Sequence, residues 1–309
     1  MAGFQFTTIK PGWFPLRILI AAEPSGGKSL SAIRMGLGLA DGNGKKLFFL
    51  DTDAGRGAAL YGQELAPKGI QYARFDPPFS PARFGEGIQA AEDAGAEVLI
   101  IDCASDEMSG VGGLAYMAEA DKGSWLRPKN QHFLKFVNRA NTSHLHIIFT
   151  AMAKTVSMPE KEKASFQLKN ASRLAAPDVQ LEVEKSFTRP MTICLFVARE
   201  GQEINVFKAH TAIQPTAQKI TAPITEEHGR ILRAWSLGTG DVDLTVERYR
   251  ARFRQIAEQG VRTVDDAISK TSGEIIDKLG KEFFDGLYAS AAEYDAQRAA
   301  AQTEQEVGN

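Results

Sequence analysis

The chain has 309 residues, 43% hydrophobic and 24% charged, with a formal net charge of -2. That balance excludes a fibrous repeat and wholesale disorder, and the length allows one substantial α/β domain with an accessory element. A near-neutral total leaves open a nucleic-acid partner, because phosphate binding needs only a local cluster of Lys and Arg.

Met1 to Pro15 lacks a basic start followed by an apolar run, so no secretory signal is expected. Between residues 16 and 150, short apolar runs alternate with helix-like stretches, the pattern of βα units feeding a mostly parallel sheet. Strands are predicted at Leu16–Ala21, Lys46–Leu50, Ile70–Arg74, Val98–Ile101 and Leu145–Thr150. Helices are predicted at Ser29–Leu39, Phe84–Ala94 and Asn130–Ala140, the last with Phe133, Phe136 and Val137 on one face. The apolar runs are far shorter than the roughly 20 residues that span a bilayer. No membrane span is expected, and the protein is expected in the cytoplasm. From Ala151 to Ala176 periodicity fails among several Lys and Arg, which reads as a basic loop. Further strands follow at Val179–Val183, Met191–Ala198 and Ile204–Ala209, the last two as a hairpin around Gly201. Cys103 and Cys194 sit in apolar strand-like segments and, with five scattered His, form no metal-ligand spacing, so they read as buried reduced thiols.

The turn residues at Gly238 to Gly240 divide a domain over 1–237 from a helical region over 241–309. In the latter, Val246, Tyr249, Phe253 and Ile256, then Ile275, Leu279, Phe283 and Leu287, recur at helical spacing. Thr271 with Glu274 fits a capping box, and the polar tail from Gln297 to Asn309 is expected to fray.

The most informative segment is Ala22-Glu23-Pro24-Ser25-Gly26-Gly27-Lys28-Ser29-Leu30, lying between a predicted strand and a predicted helix. Gly26 and Gly27 allow backbone N–H groups to converge on anionic oxygens, and the helix start directs its partial positive charge there. Lys28 can then reach the β and γ phosphates while the Ser29 hydroxyl ligands magnesium. The usual pattern opens with Gly, where this chain has Ala22.

Magnesium held by phosphates needs a carboxylate at a neighbouring strand end, and Asp102 closes Val98-Leu99-Ile100-Ile101. A second acidic strand end is Leu50-Asp51-Thr52-Asp53. Asp53, Asp106 and Glu107 are all candidates to orient the attacking water, with Glu107 placed first, and Thr150 is a candidate γ-phosphate sensor.

These pieces together, Ala22 to Ser29, Leu47 to Asp53, Val98 to Asp102 and Ile147 to Lys154, resemble the RecA-like AAA-type ATPases of phages and prophages, including the phage single-strand annealing and recombination ATPases. The resemblance covers roughly the first two hundred residues, of which the glycine loop is the specific part. It implies a RecA-like P-loop fold and ATP hydrolysis with Mg2+, tied to DNA recombination or replication. Lys28 and Ser29 match the phosphate and magnesium positions and Asp102 the second acidic motif. This chain has Asp102-Cys103 where the family has Asp-Ser. The ParA/MinD class shares an Asp-x-Asp strand end, but its additional loop lysine is replaced by Glu23.

Lys154, Lys161, Lys163, Lys169 and Arg173, with Phe166 to stack a base, make the basic loop the expected contact for single-stranded DNA on a homo-oligomer. Arg173, Arg189 and Arg199 are candidate arginine fingers from a neighbouring subunit. The C-terminal helices offer docking for a replication or recombination protein. Two other readings are a nucleotide-switched recruitment module without rapid turnover and a packaging or helicase motor.

Overall fold

Apolar runs without polar alternation suit strands covered on both faces. The computed structural model describes residues 14–156, 165, 174–176, 178–238, 244–257 and 259–307. The first run is β1 (Arg17–Ala22), every residue of it buried, and β4 (Val98–Asp102) is buried likewise. With β2 (Leu47–Asp51), β3 (Gln71–Arg74), β5 (His146–Thr155), β8 (Ile193–Ala198) and β9 (Glu203–Ala209) they form a sheet in the order β3-β2-β4-β5-β1-β8-β9. Every pairing along that path is parallel except the β8–β9 hairpin. The architecture is therefore α/β, a mostly parallel mixed sheet flanked by helices.

Alternate strand residues feed two core layers. Leu19, Ala21, Leu99, Ile101 and Phe149 face one layer with Phe84, Phe136 and Phe187. Ile18, Ile20, Ile100 and Ile148 face the other with Ile33, Met35 and Leu37 of α1 (Lys28–Leu39). Further helices of this part include α2 (Arg56–Leu65), α3 (Pro81–Asp93), α4 (Ser105–Ser109), α5 (Leu114–Ala120), α6 (Leu126–Gln131) and α7 (Asn138–Thr142). Parallel strands joined through helices carry their loops to one sheet edge, so the carboxyl ends of β1, β2, β4 and β5 share a neighbourhood.

The structure departs from several expectations. β5 runs past Thr150 to Thr155, because Ala153, Lys154 and Thr155 find an antiparallel partner in β7 (Val179–Leu181). β6 (Leu174–Ala176) also pairs with β7, so both ends of the expected basic loop are strand. Between α6 and α7 a π-helical stretch, His132–Val137, shifts the side-chain register. His132, Phe136 and Val137 turn inward and Phe133 is left 53% exposed rather than sharing their face. A helix at Glu226–Ser236, which the apolar periodicity did not reveal, crosses α1 where Gly38 and Gly229 meet backbone to backbone.

The chain divides into two compact units, residues 1–240 and 241–309. In the second, helices at Leu244–Ala257, Val261–Ser269, Gly273–Leu279 and Lys281–Val307 enclose Phe253, Val264, Leu279, Leu287 and Ala291. The expected capping box is absent: Ser272 is the N-cap, with no side-chain cap hydrogen bond, and the Thr271 hydroxyl donates back to the Ala267 carbonyl at 2.9 Å. Gln297 to Val307 continues the last helix. No helix among the described residues is long and apolar enough to cross a membrane. Cys103 and Cys194 are buried free thiols, and burial pushes them up to about 11 and about 12.

Candidate functional site

A glycine-rich stretch between a buried strand and a helix must turn sharply, and residues 23–27 do so with Ser25 at φ 61 and Gly27 at φ 91. Gly27 is the N-cap of α1, so the first amides of that helix look into the turn. A Cβ on Gly26 would stand 2.8 Å from the Ala22 Cβ and 3.0 Å from the Glu23 carbonyl oxygen. On Gly27 it would stand 2.8 Å from the Gly201 amide nitrogen, because the β8–β9 turn abuts the loop there. Neither position tolerates a side chain without movement. Glu23 is exposed and accepts a hydrogen bond from the Thr155 hydroxyl at the end of β5.

Pro24, Ser25, Gly27, Lys28 and Ser29 line one wall of a cleft of about 590 Å³. Ala22, Glu23, Gly26 and Leu30 of the same segment shape the loop without lining the cleft. The lining continues with Thr52, Asp53, Asp102 and Cys103 at the neighbouring strand ends, Asp106 of α4, and Arg56, Gly57, Leu60 and Tyr61 of α2. Met152 of β5 completes it.

The acids divide by environment. Asp51 is 0% exposed and accepts from the Asp53 and Gly57 amides at 2.7 and 3.0 Å and from the Tyr72 hydroxyl at 2.9 Å. It fixes the loop between β2 and α2, while burial and the Asp51 contact push the Tyr72 phenol up to about 12. Asp102 accepts from the Thr150 hydroxyl and lies close enough to Ser29 and Lys28 for both to favour its charged form. Burial nevertheless raises the Asp102 carboxyl above its ordinary range, outweighing those partners. Asp106, on α4, accepts from the Thr52 hydroxyl, whose oxygen takes the Cys103 amide at 2.7 Å. Burial pushes Asp106 up as well. Asp53 lines the cleft with its side chain 60% exposed and the Arg56 guanidinium 3.7 Å away.

Two expected roles do not match these positions. Glu107 is 2% exposed, with His132 Nδ1 2.8 Å from each of its carboxylate oxygens, and it does not line the cleft. Successive residues on a helix point about 100° apart, so Asp106 faces the cleft and Glu107 the core. Burial raises the Glu107 carboxyl, with His132 opposing. Thr150 is 0% exposed and stands behind Asp102, orienting it rather than reaching the cleft.

Of the expected DNA contacts, Lys154 pairs with Glu182 at 3.6 Å. Lys161, Lys163, Phe166, Lys169 and Arg173 lie outside the described residues. Arg199 pairs with Glu203 at 2.7 Å on the turn against Gly27, and Arg189 offers its backbone carbonyl to Lys208 at 2.8 Å. Sequence reasoning missed Thr52, Arg56, Leu60, Tyr61 and Met152. Arg56 had a signal, since it lies three residues after the Asp-x-Asp strand end, but Met152 was hidden in the extension of β5.

No protein-family model matches the chain, and no curated protein matches it.

Proposed function

We propose that this chain is a RecA-like P-loop ATPase that binds ATP with magnesium in the cleft above Lys28 and hydrolyses it. The observation that carries the reading is the joining of two halves across the sheet edge. A turn whose glycines exclude Cβ atoms caps α1 and presents Lys28, and Ser29 beside it lies close enough to Asp102 of β4 to favour the carboxylate. A glycine cradle, a helix start and an ammonium group suit a polyphosphate.

The donors also fit magnesium. Ser29 and Asp102 are hard oxygen ligands, and Mg2+ characteristically takes one or two protein groups, leaving the rest of its shell to phosphate and water. When bound there it supplies charge neutralisation to the phosphates. Thr150 keeps the Asp102 carboxylate aimed at Ser29, and Asp51 pins the loop that presents Asp53. Asp53 is the acid best placed to orient water, because it lines the cleft and is exposed. Tyr61 and Leu60 provide an apolar wall suited to a nucleobase.

Binding of a fluorescent ATP analogue and phosphate release, both with magnesium, test the reading beside Lys28→Ala. Wild type should bind and turn over, and the variant should lose about a hundredfold or more in turnover. A wild-type chain that binds no nucleoside triphosphate contradicts the proposal, and binding without sustained turnover favours the switch module.

Single-stranded DNA is the partner we propose for the assembled protein. Supporting it, α5 and the helix from α6 onward expose Tyr116, Trp125 and Phe133 at 58, 37 and 53%, with Lys122 and Lys135 exposed nearby in sequence. Aromatics interleaved with lysines offer stacking and phosphate pairing. A salt titration of oligonucleotide binding, with affinity that does not fall as salt rises, would remove this part alone.

A further inference from the structure

A neighbouring subunit is not needed to bring an arginine to the site, because the cleft already contains one. Among the described residues, the cleft-lining side chains include two cations, Lys28 from the glycine loop and Arg56 from the first position of α2. Arg56 lines the same space as Lys28 and is 74% exposed at its side chain. Its recorded partner is the Asp53 carboxylate at 3.7 Å, a long contact between two exposed groups. Exposed pairs of this kind contribute little and are readily exchanged for a better anion.

The backbone that carries Arg56 is, by contrast, firmly set. The buried Asp51 holds both the Asp53 and the Gly57 amides, and the Arg56 amide donates to the Asp53 carbonyl at 2.9 Å. Gly57 admits no side chain, since a Cβ there would stand 2.7 Å from the Phe49 ring and 2.9 Å from the Asp51 carboxylate. A fixed stem with a loosely held head is suited to delivering a guanidinium fork to phosphate oxygens, which accept it two at a time.

We propose that Arg56 acts in cis as the charge-stabilising arginine of this site, leaving Asp53 for the terminal phosphate when nucleotide binds. The inference rests on the ATPase reading above. In the reaction, a water oxygen bonds to the terminal phosphorus while the bond from that phosphorus to the bridging oxygen breaks. The bridging oxygen keeps the electron pair and departs with the diphosphate, and the water proton passes to the Asp53 carboxylate freed by Arg56. Arg56 then offsets the negative charge gathering on the transferred group and the bridging oxygen. Departure of the guanidinium thus frees the acid and stabilises the phosphate in one movement.

Subunit mixing separates this from an arginine supplied in trans. Arg56→Ala should bind the fluorescent ATP analogue within a few-fold of wild type, yet lose about a hundredfold or more in turnover. Arg56→Lys should recover only a minor part, because an ammonium cannot make the paired contact. Mixing Arg56→Ala with Lys28→Ala should restore nothing, since neither chain carries both cations in one cleft. Restored turnover in the mixture would assign the arginine to a neighbour and overturn the proposal, as would an Arg56→Ala chain with wild-type turnover. If wild type itself neither binds nor hydrolyses ATP, the ATPase reading has failed. If wild type turns over and Arg56→Ala is unaffected, only the role of Arg56 has failed.

Discussion

Asp53 and Glu107 illustrate how much of a residue's chemistry is decided by where the local backbone aims it. Both are acids just after a strand end, but Asp53 reaches into the cleft while Glu107 is buried against His132. Asp53→Asn should therefore lower kcat about a hundredfold with KM little changed, and Glu107→Gln should leave kcat within a few-fold while lowering stability by about 1–3 kcal/mol. Steady-state kinetics beside denaturant melts distinguish the two, and a kcat collapse in Glu107→Gln alone would reverse the assignment. The glycine loop and Asp102 were legible in the sequence because their signal is local: a turn that excludes Cβ atoms and an acid ending an apolar run. The split between Asp106 and Glu107 was not, since it depends on α4 starting at Ser105.

Elements were legible where periodicity is uniform and obscure where it is broken. β1 and β4, covered on both faces, read directly as buried runs. The helix expected at Asn130–Ala140 lies within a longer helical run from Leu126 to Thr142, whose π-helical stretch places Phe133 on the outside, which a regular 3.6-residue period cannot anticipate. Glu226–Ser236 was hidden because its packing face is made by glycine as much as by apolar bulk. At its crossing with α1, a Cβ on Gly38 would overlap the Glu226 carbonyl, and one on Gly229 the Met35 carbonyl. Gly38→Ala and Gly229→Ala should each cost about 3 kcal/mol, seen as a lower denaturant midpoint, because the two backbones must separate. An unchanged midpoint in both would show that the crossing is looser than its geometry.

Stability of the whole molecule carries a pH dependence that one buried ring introduces. His146 is 0% exposed, accepts the Leu16 amide at 3.0 Å through Nδ1, and is lowered from 6.5 to about 3, chiefly by burial and further by Arg233 and Arg17. Between those two values the unfolded chain holds a proton that the folded chain refuses, so stability falls as pH falls through this window. The slope from this group is about 1.4 kcal/mol per pH unit. His146→Asn keeps an acceptor for Leu16 and should remove that part of the slope between pH 6 and pH 5, which paired denaturant melts at the two pH values would measure. The strand that begins at His146 has a further consequence. β5 meets Asp102 through Thr150 and Glu23 through Thr155, five residues on, a span of about 17 Å along one extended backbone. Such a rod has no hinge between its two attachment points. Tension applied to the chain beyond Val156 is therefore delivered directly to the mouth of the glycine turn, as a lever bears on a latch.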